Sequence, residues 1–183
     1  MAQLPSRRTF LQGAIGAAAA GPFVITRPGW SQTRPIRIGV LAPMKTDGQG
    51  HKTILGPFAA ERINQAGGVL GRHVEFVYAD HEFNPEVGVQ RAKELLLGEK
   101  VDVLEFMTGS HVMKAVAPLA YQYRKVFFTT NSKARELTGE AFVPTTFRCC
   151  LNTDQNAGML ATYFARLAPK KPTKFFLLNQ DYT

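Results

Sequence analysis

From Ile36 onward, short apolar runs alternate regularly with longer amphipathic ones, and this constrains the chain more than any other feature. The spacing predicts strands over 36–41, 74–79, 101–107 and 126–130, each a compact apolar run of strand length. Between them it predicts helices over 53–65, 85–97 and 110–123. In the last of these, Val112, Ala115, Val116 and Leu119 recur at helical intervals. Pro57 is read as lying in the first turns of its helix, where a missing N–H costs little. Gly67-Gly68 is read as the stop. The stretch 45–52 reads as a polar, glycine-containing loop. The pattern loosens over 133–143 and is extended over 142–149. A helix over 153–167 and a strand over 174–178 then follow. A β-α-β-α-β-α-β order implies an α/β fold: a doubly wound parallel sheet with helices on both faces, its winding fixed by right-handed crossovers.

The N-terminus adds a location. Ser6-Arg7-Arg8-Thr9-Phe10-Leu11 precedes a weakly apolar, alanine-rich run over 13–20. Paired arginines, then a hydroxyl residue, an aromatic and an apolar run of small residues, form the pattern of a twin-arginine secretion signal. Residues 1–33 are therefore expected to be a signal and short lead, recognised by the twin-arginine export machinery. The protein is expected to act in the periplasm. Cleavage fits after Ala20 or after Ser31, and Ser31 leaves only a short lead before the first strand. Three of the formal net +8 charges lie in this segment, on Arg7, Arg8 and Arg27, so the remainder is mildly basic. Its basic residues are scattered among acids, so a nucleic-acid patch is not indicated. Cys149 and Cys150 are the only cysteines. Neighbouring cysteines rarely pair, because the ring they close is strained, and no zinc spacing exists.

Several stretches carry a specific resemblance. Residues 36–43, IRIGVLAP, are followed by Glu61-Arg62-Ile63-Asn64-Gln65-Ala66-Gly67-Gly68-Val69-Leu70-Gly71-Arg72. Ala79-Asp80, Ala92-Lys93-Glu94-Leu95, Ala117-Pro118-Leu119-Ala120, Glu136-Leu137-Thr138 and Asp181-Tyr182 also fit. Together they resemble the branched-chain amino-acid (type I) periplasmic substrate-binding proteins of ABC importers, over 36–183. The long motif marks the fold and says little about the ligand. The resemblance implies a two-lobed clamp that captures a small amino acid or organic acid, performs no chemistry on it, uses no cofactor and delivers it to an ABC permease. It implies that 34–148 is the first part of lobe one. Residues 149–183 would be the hinge passage and the start of lobe two, so half a clamp is expected to bind weakly by itself.

The same resemblance supplies candidate contacts. Ser110, at the start of the third helix, is implied to receive a ligand carboxylate, where helix N–H groups favour an anion; an ordinary helix cap is the alternative. The carbonyl of Asn131 is implied to hold a ligand ammonium. Lys133 stands where the family usually has threonine, and its charge would repel an ammonium and attract a carboxylate. Tyr182 is implied to pack on the ligand from lobe two. Glu105 is an unusual acid in an apolar strand and could reach the cleft. Gly48, His51 and Lys52 would line its mouth. A second function class stays open, a nucleotide-binding α/β enzyme using 46–53 as a phosphate loop. Thr46 and His51, however, occupy positions where that loop needs glycine. His81 and Glu82 read as a polar turn.

Overall fold

In a computed structural model, the described residues are 34–167, 174 and 176. The signal-type segment, Tyr182 and most of the strand expected over 174–178 lie outside them; Lys174 and Phe176 belong to neither helix nor strand. Five parallel strands form one sheet in the order β2-β1-β3-β4-β5. They are β1 (Ile36–Ala42), β2 (Val74–Asp80), β3 (Val103–Phe106), β4 (Val126–Thr129) and β5 (Thr146–Arg148). The helices are α1 (Gly56–Gln65), α2 (Pro85–Lys93), α3 (Ser110–Gln122) and α4 (Thr153–Leu167), with a 3₁₀ turn at Arg135–Thr138.

Paired strand positions share a face. Gly39 lies beside Leu104, Leu41 beside Phe106 and Leu104 beside Phe127. This face carries the core, closed by Ala92 of α2, by Val112, Met113, Val116 and Ala120 of α3, and by Leu95 and Leu96. The two helices approach closely at Gly88, where a Cβ would lie 2.4 Å from the Val112 side chain. The opposite face carries Val40, flanked by Tyr78 and Glu105, with Phe128 and Phe147 beyond. There α1 covers the β1–β2 half.

The first helical run starts earlier than its composition indicates. A helical turn at Asp47–Gly50 leads into a π turn at His51–Leu55 and then into α1 without a break. Pro57 lies in the first turn of α1, as read, but a helical run already precedes it from Asp47. Its ring clashes with the carbonyl four residues back in a regular helix. The π turn, closed by the Gly56 N–H on the His51 carbonyl, widens the helix just before the proline. At the third strand, Val101 and Asp102 fall outside β3. Asp102 instead receives the Arg37 N–H at 3.0 Å and the guanidinium of Arg34.

The long motif has a local purpose that its sequence does not announce. Asn64, near the end of α1, accepts from the Val74 N–H at 2.7 Å and donates to the Val74 carbonyl at 3.0 Å. One amide thus pairs both backbone groups of the first residue of β2. Between them the chain reverses through Gly67 (φ 102°) and Gly68 (φ 72°), and a Cβ on Gly68 would lie 2.1 Å from the Arg72 carbonyl oxygen. Asn64→Ala removes both bonds and is expected to cost about 1–3 kcal/mol in chemical denaturation. An unchanged midpoint and slope would mean that β2 is set without this amide.

Candidate functional site

From β1 the chain crosses one way to β2, and from β3 it crosses the other way to β4. The carboxyl ends of β1 and β3 therefore flank the topological switch point, where an open α/β sheet forms its crevice. Three loops meet there: the turn after β1, the Met107–Gly109 link into α3, and the segment after β4.

Ser110 is the first residue of α3, and the capping position belongs to Gly109 (φ 97°). The serine hydroxyl does not cap its own helix. It accepts from the Ala134 N–H at 3.3 Å, which pins the start of α3 to the loop after β4. That loop turns on buried Thr129, whose hydroxyl accepts from the Asn131 and Ser132 N–H groups at 3.3 and 2.9 Å. The Ser132 carbonyl accepts from Arg148. The Lys133 carbonyl accepts from the backbone N–H and the hydroxyl of Thr153, at 2.9 and 2.8 Å. The first turn of α4 is thereby tied to the same loop. Among the described residues the Asn131 carbonyl receives no hydrogen bond and the Lys133 ammonium forms no ion pair; both side chains are exposed. The structure thus brings Ser110, Asn131 and Lys133 together, whereas Tyr182 lies outside the described residues.

Other expectations change. The segment 46–53 is helical from Asp47, and its amides are already used: Thr46 and Gly48 donate to the Pro43 carbonyl, and Gln49 donates to that of Thr46. No phosphate cradle is left in that backbone. Gly48 is packed against Ala42, and His51 turns inward, so only Lys52 of the three proposed mouth residues is exposed. Glu105 does not reach the crevice. It is buried on the face covered by the first helical run, its carboxylate 3.7 Å from His51 Nε2, and burial pushes its carboxyl up to about 7.

A turn follows β2, as read from His81 and Glu82, but sequence reasoning missed how it is built. Asp80 accepts from the Met44 N–H at 3.2 Å and the Glu82 N–H at 2.9 Å, joining the loops after β1 and β2. Glu82 (φ 52°) and Phe83 (φ 56°) are both left-handed, a costly conformation for side-chain-bearing residues. The Phe83 N–H donates to His81 Nδ1 at 3.1 Å, and its carbonyl lies 2.9 Å from His111 Nε2. His81 is no part of a solvated turn: it is fully buried, stacked on Phe106 at 4.9 Å. Burial lowers its pKa to about 4, so it is neutral at physiological pH. The Asp-x-x-x-Asn spacing of Asp80 and Asn84 was the available signal for this turn, since Asn84 also caps α2. A separate groove of about 390 Å³, lined by Val77, Ala79, Arg91 and Glu99, lies along the outer edge of β2.

His81 and Glu105 titrate with opposite effects on stability. The folded pKa of His81 is depressed, so its contribution is complete above about 6.5 and lost as pH falls through about 4. The folded pKa of Glu105 is raised, so its contribution is complete below about 4.5 and lost as pH rises through about 7. Between these limits the two nearly cancel. Glu105→Gln should give stability that rises with pH across that window, and His81→Asn stability that falls, each by about 1.4 kcal/mol per pH unit relative to wild type. Parallel profiles for all three proteins would contradict this assignment.

Comparison with known proteins places this geometry in a family. A family model described as periplasmic binding protein matches residues 35–183. No curated protein matches the chain significantly. Among solved structures, an ABC transporter substrate-binding protein from Desulfitobacterium hafniense in complex with Leu is 26% identical, with a TM-score of 0.65 over 74% of this chain and 40% of that one. A periplasmic binding protein from Burkholderia mallei is 25% identical, with a TM-score of 0.62 over 74% of this chain and 37% of that one. A solute-binding protein from R. palustris in complex with benzoate is 23% identical, with a TM-score of 0.63 over 73% and 37% of the two chains. The chain thus spans about two fifths of these proteins' length, and it belongs to the periplasmic binding protein family.

Proposed function

We propose that this member of the periplasmic binding protein family is the opening part of a solute receptor for an ABC importer. Residues 34–148 supply lobe one, and 149–183 supply the passage into a second lobe. Solute is captured between the lobes without chemistry and passed to a membrane permease. The twin-arginine pattern at Arg7-Arg8 assigns export of the folded protein to the periplasm. The exposed apolar residues of α4, namely Met159, Leu160, Tyr163 and Phe164, fit a helix whose core lies in the second lobe.

The observation that carries this reading is the joining of α3 to the β4 loop through Ser110 at the switch point. The amide groups of the first turn of α3 have no acceptor within the helix and carry its positive dipole end. A solute carboxylate placed there meets those amides and Ser110. Asn131 offers a carbonyl beside it, and Lys133 an ammonium. An exposed cation in this position favours an organic acid over an amino acid, because it opposes an α-ammonium. Tyr182 is assigned to the second lobe's side of the cleft.

Calorimetric titration of the two-lobed receptor with benzoate and with leucine tests this reading. We expect benzoate to be preferred, with Ser110→Ala and Lys133→Ala each weakening it by about 1–3 kcal/mol. Preference for leucine that survives Lys133→Ala would contradict the assignment of ligand class.

A further inference from the structure

The receptor reading makes no use of Glu105, yet this is the least expected side chain in the fold. A carboxylate sits in the middle of the central strands, 5% exposed, where its neighbours on the same sheet face are Val40 of β1 and Phe128 of β4. Neither neighbour can hydrogen-bond to it. Among the described residues its one ion-pair partner is His51 of the helical layer, whose Nε2 lies 3.7 Å from its carboxylate. His51 Nδ1 in turn lies 3.2 Å from the Tyr78 hydroxyl, and that hydroxyl is 3.5 Å from the His51 carbonyl. The His51–Tyr78 pair is within hydrogen-bond distance, whereas Glu105 faces Nε2 across a gap longer than a hydrogen bond, so the three side chains lie in a row from β3 to the π turn and on to β2.

The backbone is shaped around this line. Tyr78 reaches the helix only because residue 56 is glycine: a Cβ there would lie 1.9 Å from the Tyr78 hydroxyl oxygen. The π turn begins at His51, and its carbonyl takes the Gly56 N–H. Such turns inside helices are frequent at functional sites.

We propose that Glu105, His51 and Tyr78 form a proton relay in which one proton gained or lost at Glu105 reverses the His51 tautomer and turns the Tyr78 hydroxyl. In the protonated state, the 3.7 Å gap shortens and the Glu105 O–H donates to His51 Nε2, His51 Nδ1–H donates to the Tyr78 oxygen, and the Tyr78 O–H faces the His51 carbonyl. Loss of the Glu105 proton to water leaves an anion that only a donor can satisfy. The imidazole then carries its proton on Nε2, toward Glu105, and Nδ1 accepts from the Tyr78 O–H. No atom but that one proton enters or leaves, and each of the three side chains has a partner in both states. The histidine stays neutral throughout, in keeping with the lowering of its pKa by burial. Burial and the Glu105 charge push the Tyr78 hydroxyl up to about 12, so it keeps its proton. Glu105 itself changes state near neutrality.

The relay has a route to the crevice. His51 directly follows the turn Asp47–Gly50, and Gly48 of that turn packs on Ala42 at the carboxyl end of β1. Only this link to solute binding rests on the receptor reading; the relay itself does not.

The test is a pH titration of the isotopically labelled 183-residue chain by nuclear magnetic resonance, without solute. It follows the Glu105 carboxyl carbon and the two ring nitrogens of His51, assigned by their loss in His51→Gln. The expected result is one shared midpoint near pH 7, with the His51 proton on Nδ1 below it and on Nε2 above it. Glu105→Gln, whose amide can only donate to Nε2, should hold the Nδ1–H tautomer at every pH. A cationic His51 appearing as Glu105 ionises, a constant tautomer, or the same reversal in Glu105→Gln would overturn the relay. Should that variant fail to fold, the wild-type curves decide alone, because separate midpoints for the two residues also overturn it. Failure here leaves the receptor reading intact, and a failed benzoate titration leaves the relay intact.

Discussion

The structure depends on the pairing of β1 with strands on both edges. It is hydrogen-bonded in parallel to β2 on one side and to β3 on the other. A strand so placed is buried on both faces, as Val40, Leu41 and Ala42 are. Because parallel neighbours need crossovers and these are right-handed, a first step one way and a second step the other put α1 on one face and α2 with α3 on the opposite face. The reversal also leaves a crevice at the carboxyl ends of β1 and β3. The core, the two helical layers and the place of the site thus follow from a single choice of strand order.

The crevice is assembled by side chains that bond to backbone rather than to one another. Asp80 ties the loops after β1 and β2, Thr129 shapes the loop after β4, and Ser110 fastens that loop to α3. Each uses a short oxygen-bearing side chain to hold loop amides that no strand or helix satisfies. The left-handed pair Glu82 and Phe83 persists in the same way, the Glu82 N–H held by Asp80 and the Phe83 N–H and carbonyl by the imidazoles of His81 and His111. A rigid shelf built like this can present Asn131 and Lys133 in fixed positions while their side chains remain exposed.

Much of the fold was legible in the sequence because parallel strands buried on both faces read as apolar runs. The helix over 153–167 and the start of α3 at Ser110 coincide with the structure. What failed to show has identifiable causes. Gly48-Gln49-Gly50 has the composition of a loop, yet it is helical, because packing of Gly48 on Ala42 outweighs weak propensity. Pro57 looked like a helix start because a π turn cannot be read from residue types. The inward turn of His51 depends on partners 27 and 54 positions away, Tyr78 and Glu105, and no local pattern records it. At the candidate site, Ser110 was singled out by the resemblance and by its place at the start of a helical run, but its partner Ala134 lies in another loop. The burial of His81 against Phe106 was equally hidden, since a histidine after a strand ordinarily marks a solvated turn.

The central claim is that solute is received where α3 begins, at the switch point, and the most direct measurement is the map of amide shifts on adding benzoate. Backbone amide spectra of the receptor, recorded with increasing benzoate, should show the largest changes at Gly109, Ser110, His111, Asn131 and Lys133. The amides of α2 and of the outer edge of β2 should be unmoved. Saturable shifts centred on the β2 groove, or on the helical turn Asp47–Gly50, with Ser110 and Lys133 unchanged, would contradict the account.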